Sequence, residues 1–246
     1  TSKPEAPYER SDDFSGPQLK PIWQWNHVPS AKNWSLTKRE GYLCLQSLPA
    51  EDFWHARNTL TQRAIGLESI ATTELDGQEL KDGDIAGLAL LNYPYAWLGI
   101  SRAGDGFEIQ LFDQRTNELE RKRIDAVRIW VRARCNFDTE LAQFSYSTDG
   151  VTFTPLGTRV IMAYQLKTFQ GVRFALFNYN AKGVEGGTAA FDSFEVDEPR
   201  PCGLTRPIPY NQAVTFTNLA DSTVLVNWNN ALRSVSTSHQ LAKGAA

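Results

Sequence analysis

Residues 21–27 read PIWQWNH and set two indoles, two amides and an imidazole side by side: Trp23, Gln24, Trp25, Asn26 and His27. Flat rings beside amides that both donate and accept hydrogen bonds can grip a sugar, which offers C–H faces and a rim of hydroxyls. The same groups serve at the edge of a core, so Trp23 and Trp25 are read either as packing residues or as contacts to a sugar or another domain. A second run, FWHARNTLTQR at 53–63, places Trp54 and His55 just ahead of Arg57. On one strand parity it carries Arg57, Thr59, Thr61 and Arg63, and on the other Asn58, Leu60 and Gln62. This is either a sheet edge with a solvated polar face or a polar, aromatic-rimmed surface that meets a carbohydrate or another domain.

Catalysis has weaker support. Glycosidic hydrolysis needs two carboxylates roughly 5–10 Å apart across the sugar. Asp76, Asp82, Asp84, Asp105 and Asp149 fall in turn-like stretches, where turn chemistry explains them. No Gly-x-Ser-x-Gly elbow and no phosphate-binding glycine loop ahead of a helix occurs. Asp12 and Asp13 near the start and Asp192 near the last sandwich strand could hold a structural calcium where the ends meet; no other cofactor is required. Cys44, Cys135 and Cys202 lack C-x-x-C spacing and are read as buried or free thiols, with one pair left open, and the three histidines (His27, His55, His239) are too scattered for zinc.

The elements that must position these groups are short β-like runs. The chain has 246 residues, net charge −3, 25 basic against 28 acidic side chains, and no apolar run of membrane-spanning length. Neither a nucleic-acid nor a membrane partner is indicated. Residues 1–10 are polar and Pro-containing and read as a linker or mature terminus rather than a targeting segment. From residue 41 onward, YLCLQSL, TLTQRAIGLESIATTEL, DIAGLALLN, AWLGISR, FEIQLFD, AVRIWVRARCNF, AQFSYS, GVRFALFNY and AAFDSFEV alternate with Gly- and Asp-rich turns. In AVRIWVRARC, Val127, Ile129, Val131, Ala133 and Cys135 share one face and Arg128, Trp130, Arg132 and Arg134 the other. That second face is either a binding face or a solvated convex one. Many strands and no strand–helix alternation predict two packed antiparallel sheets, an all-β sandwich over 11–196. Residues 197–246 form an extension: a Pro-rich connector, then AVTFTNLADSTVLVNW as a hairpin turning at 219–222, then a frayed end from 238.

Several blocks occur together in one order: WQWNH, WSLTKREGYLCL, ARNTLTQR, ATTELD, DGDIAGLALL, FSYSTDGVTFTPLG, FQGVRFALFNY and FDSFEV. They resemble the C-terminal concanavalin A-like β-sandwich of family 43 β-xylosidases and arabinofuranosidases, over about residues 11–196. The resemblance implies a concanavalin A-like jelly roll that serves as a non-catalytic accessory part. Hydrolysis would belong to an N-terminal five-bladed propeller as partner domain. The sandwich would bind plant-wall polysaccharide, xylan or arabinoxylan, or complete the propeller's active-site rim. Its contact residues would be Trp23, Trp25, Asn26, His27, Trp54, Arg57 and the loop aromatic Phe169 in LKTFQG. The alternatives are a stand-alone glycoside hydrolase on a lectin-like sandwich, favoured by two carboxylates facing across a groove, and a purely structural spacer.

Overall fold

The structure, a computed structural model, describes residues 9–162, 168 and 171–199, together with the backbone of three strands between 216 and 240. In chain order the strands are β1 (Gln24–Trp25), β2 (Trp34–Ser35), β3 (Tyr42–Gln46), β4 (Leu48–Pro49), β5 (Leu60–Arg63) and β6 (Glu68–Glu79). Then follow β7 (Asp84–Leu91), β8 (Ala96–Ala103), β9 (Gly106–Asp113), β10 (Glu118–Ile124) and β11 (Arg128–Asn136). The sandwich ends with β12 (Leu141–Ser147), β13 (Thr154–Pro155), β14 (Val160–Ile161), β15 (Arg173–Asn180) and β16 (Thr188–Asp197). One sheet runs β1-β5-β15-β7-β8-β9-β10 and the other β13-β12-β11-β6-β16-β3-β2. Pairing is antiparallel apart from β4, which adds to β15 in parallel. The two sheets pack as a β-sandwich.

Alternation builds the core. Ile129, Val131, Ala133 and Cys135 of β11 are fully buried, and they meet Leu88, Leu98, Ile100, Ile109, Phe174 and Leu176 from the opposing sheet. The run at 59–75, read as one stretch, is two strands in different sheets, because the chain leaves the first sheet after Arg63 and enters the second at Glu68. Asp76 and Asp84, expected in turns, sit inside β6 and at the start of β7.

The second sheet kinks where β16 crosses β6, with a register shift between Asp192 and Phe194. Ser193 takes a left-handed φ of 42° there, and the Thr73 hydroxyl donates to its carbonyl at 2.7 Å. The kink leaves Phe194 free to exchange backbone hydrogen bonds with Asp12, which ties residues 11–14 to the sandwich. Arg10, inside the expected linker, is buried, its carbonyl accepting from Gln62 Nε2 at 2.8 Å.

A separate three-stranded antiparallel sheet is formed by β17 (Phe216–Asn218), β18 (Thr223–Asn229) and β19 (Ser234–Gln240). The turn expected at 219–222 lies outside the described residues, and residues 238–240, expected in a frayed end, lie in its third strand.

Candidate functional site

Trp23 is a core residue. Only 7% exposed, it stacks on Phe14 at 5.8 Å and meets Phe194 edge-on at 5.0 Å. Its Nε1–H donates to Asp12 Oδ2 at 2.7 Å. A buried indole N–H needs an acceptor, and the buried carboxylate needs donors, so each satisfies the other. Trp25 pairs with Leu60 in β1–β5 and leans on Trp34, ring centroids 5.1 Å apart. Asn26 spends its backbone N–H on the Thr59 carbonyl at 3.0 Å. His27 Nε2 lies 2.9 Å from the Trp54 carbonyl, so that nitrogen carries the proton. The segment is a strap locked onto β5 and the loop that leads into it.

The polar face expected of 57–63 is not solvated. Thr59, Thr61 and Gln62 are buried, their side chains donating to the carbonyls of Ala56, Gln24 and Arg10. Of that face only the two arginines, Arg57 and Arg63, are exposed. Trp54 lies half-buried in a 3₁₀ turn, Phe53–His55, stacked on Tyr95 at 6.4 Å and edge-on to Tyr93 at 5.5 Å. Phe169 lies outside the described residues; its neighbour Thr168 donates to Asn92 Oδ1 at 3.1 Å.

The three carboxylates expected to hold calcium are not gathered. Asp12 turns inward to Trp23 and the Phe14 N–H, Asp13 turns outward to Ser15, and Asp192 sits beside Tyr42 and Glu74 across its strands. Among the described residues no group of three or more His, Cys, Asp or Glu could hold a metal ion. The arginine face of β11 is self-paired: Arg128 on Glu74 and Asp76, Arg134 on Glu68, and Arg132 over the Phe153 ring at 3.4 Å.

A different face is left open. Across β7, β8 and β9 the residues that point away from the main core fall in register as three rows: Ala89–Trp97–Phe112, Gly87–Gly99–Gln110 and Ile85–Ser101–Glu108. Trp97 packs between Phe112 and Phe177, both at 5.8 Å, in a second apolar cluster with Phe53, Tyr95 and Tyr179. Gly87 and Gly99 face each other at a close strand approach: a Cβ on either would come within 2.2 Å and 2.3 Å of a neighbouring carbonyl oxygen. The middle row is therefore bare between Trp97 and Ser101. Over this face opens a groove of about 610 Å³. Its aromatic side is the half-buried Phe112, with Tyr95, Trp97 and Tyr179 each no more than 5% exposed, and Ser101, Gln110, Glu108 and Arg121 supply the polar side. Gln110 Nε2 bridges Ser101 Oγ at 2.7 Å and Glu108 Oε2 at 3.1 Å, which fixes the amide and turns its carbonyl oxygen away from that pair.

Residues 11–197 match the family described as the beta xylosidase C-terminal Concanavalin A-like domain. The chain belongs to that family. It is 32% identical over 161 residues to a putative beta-xylosidase of Xylanibacter ruminicola, covering 64% of this chain and 29% of that protein. To a beta-xylosidase of Formosa agariphila it is 30% identical over 216 residues, covering 77% and 35%. A bifunctional GH43-CE structure from Bacteroides eggerthii superposes with a TM-score of 0.73 at 32% identity, over 80% of this chain and 28% of that one. The xylan beta-1,4-xylosidase of Bacillus halodurans C-125, TM-score 0.66 at 21% identity over 79% of this chain and 41% of its own, shares the fold. The chain thus spans about a third of the length of the curated relatives it matches.

In this xylosidase-type sandwich the groove keeps its polar groups in defined states. Burial, with the Asp52 carboxylate nearby, pushes the Tyr95 phenol well above its ordinary range, and burial beside Tyr95 and Asp52 does the same to Tyr179. Both stay protonated. At the far end the Lys182 ammonium, then the Gly104 N–H, hold Asp82 below the usual carboxylate range. Asp84 is enclosed by the N–H groups of Lys81 and Gly187 at 2.7 Å and by Asn180 Nδ2 at 2.8 Å. Asp52 caps the turn at His55 through the backbone N–H at 3.0 Å and the ring Nδ1 at 2.7 Å. The groove residues went unnamed in the sequence, although AWLGISR and FEIQLFD carry the pattern: Trp97, Gly99 and Ser101, then Glu108, Gln110 and Phe112, occupy the parity opposite the aliphatic one.

Proposed function

We propose that this domain is the non-catalytic, carbohydrate-binding part of a family 43 glycosidase and holds xylan or arabinoxylan in the groove over β7–β9. The observation that supports it is the opposition of an aromatic side, Phe112 backed by the buried Trp97, to a hydrogen-bonding ladder, Ser101–Gln110–Glu108, along one groove. An aromatic surface takes the C–H face of a pyranose and a fixed amide–carboxylate pair takes its hydroxyls. That arrangement argues against a structural spacer, whose outer sheet would be apolar and covered. Hydrolysis is assigned to a propeller partner domain. Three of the groove's five carboxylates, Asp52, Asp82 and Asp84, are already committed to the turn, to Lys182 and to backbone N–H groups. Calorimetric titration of the chain with xylo-oligosaccharides, beside an assay on aryl xylosides and arabinosides, tests the proposal. Saturable binding without cleavage is expected; cleavage that persists after contaminating glycosidases are removed would establish the stand-alone hydrolase instead.

A second contribution, completing the partner's active-site rim, has support at one place. Thr168 is tied to Asn92, next to Tyr93, which is 36% exposed and packs on Trp54. Phe169→Ala in a full-length xylosidase is expected to lower turnover without changing the stability of the sandwich; unchanged turnover would remove the rim role.

A further inference from the structure

Resting on the groove as a glycan site, we infer that it accepts neutral glycans and rejects those carrying uronate substituents. The border charges are four carboxylates, Glu51, Asp52, Asp82 and Glu108, with Asp84 fully buried among its own donors, and three cations, Arg102, Arg121 and Lys182. Two of the cations are engaged: Lys182 pairs with Asp82, and Arg102 donates to the Gly104 carbonyl and lies over the Phe107 ring at 4.8 Å. Both sit at the β8–β9 turn end. Glu51 and Asp52 stand on the lip beside Tyr95, and Glu108 lies beyond Gln110 in the row with Ser101, so carboxylates border both ends of the path a sugar ring would take from Phe112 past Gln110.

Hydrogen-bond valence points the same way as charge. The Gln110 amide N–H groups are spent on Ser101 and Glu108, and its carbonyl oxygen remains as an acceptor. Glu108 keeps one oxygen unspent by Gln110, and Glu51 is acceptor-only when ionised. A site rich in acceptors is matched by hydroxyls, which donate. A uronate carboxylate brings acceptors and a like charge, which makes it the wrong partner on both counts. Arg121, in register with Gln110 on exposed edge strand β10, is the residue that would oppose this selection.

The test uses a matched pair of ligands: a xylo-oligosaccharide with one glucuronate branch, and the same molecule with the carboxyl reduced to an alcohol. The reduced form is expected to bind at least about tenfold tighter at low ionic strength. The gap should shrink as salt rises, because charges at a groove border are screened. Glu108→Gln retains an acceptor for Gln110, and Glu51→Gln changes an exposed lip residue; each should narrow the gap. Equal or tighter binding of the acid form, as capture by Arg121 would give, overturns the inference while leaving the groove a glycan site. So does a gap that neither salt nor either variant moves, which would be steric. If neither ligand binds, the glycan site itself fails and the inference with it.

Discussion

Trp23→Phe separates packing from recognition at the most sugar-like stretch of the sequence. The change keeps an aromatic ring against Phe14 and Phe194 but removes the N–H that lies 2.7 Å from Asp12 Oδ2. Asp12 is 5% exposed, so water does not replace the lost donor; the Phe14 N–H and Lys20 remain on the other oxygen. A lost hydrogen bond to a buried charged acceptor costs about 1.5–3 kcal/mol. The smaller ring adds about 1 kcal/mol of unfilled volume, for about 2.5–4 kcal/mol in all. In a domain of this size that is a fall in Tm of about 5–15 °C. Circular dichroism melts measure it without relying on the removed indole, and xylo-oligosaccharide titration of the folded variant should match wild type. A variant as stable as wild type that has lost glycan affinity would refute the reasoning. A double-mutant cycle with Asp12→Asn should show the two losses to be strongly non-additive, since they share one bond.

Other outcomes follow from the same geometry. Burial works against the charge of Asp76, yet Arg39, the Gln78 N–H and Arg128 outweigh it and hold the carboxyl below its ordinary 3.8. With the folded pKa depressed, its stabilisation is present above about pH 4 and is lost as pH falls through the folded value; Asp76→Asn should cost about 1–3 kcal/mol at pH 7 and flatten the acid limb of urea-unfolding stability against pH. Thr73→Val removes the hydroxyl that serves the kinked Ser193 carbonyl and should cost about 1–2 kcal/mol by urea denaturation. Gly99→Ala forces a Cβ toward the Ala86 carbonyl oxygen at 2.3 Å and should cost about 1–3 kcal/mol while weakening glycan binding, both read on the same sample.

The sandwich was legible because β11 and its neighbours state their two faces in plain alternation, as Ile129, Val131, Ala133 and Cys135 show. Strand β10, ELERKRI, was missed because an edge strand exposed on both faces has no apolar period to read. WQWNH stayed open between packing and contact for another reason: whether an indole is buried depends on which acceptor waits for its N–H, and Asp12 reaches Trp23 only through the long-range bridge to Phe194. The groove is the opposite case. Its residues lie in two strands that were found, but their meaning depends on the inter-strand register that sets Trp97 beside Phe112 and Ser101 beside Glu108, and on paired glycines that leave the row between them bare. The arginine face looked available because the sequence does not show that Glu68, Glu74 and Asp76 lie across from it.

The most direct test of the central claim is a crystal structure of the chain with a xylo-oligosaccharide. The account predicts a sugar ring against Phe112, with hydroxyls within hydrogen-bond distance of Gln110 Oε1 and Glu108. A glycan bound instead at Trp25 and His27, or along the arginine face of β11, with the groove left to solvent, would contradict it.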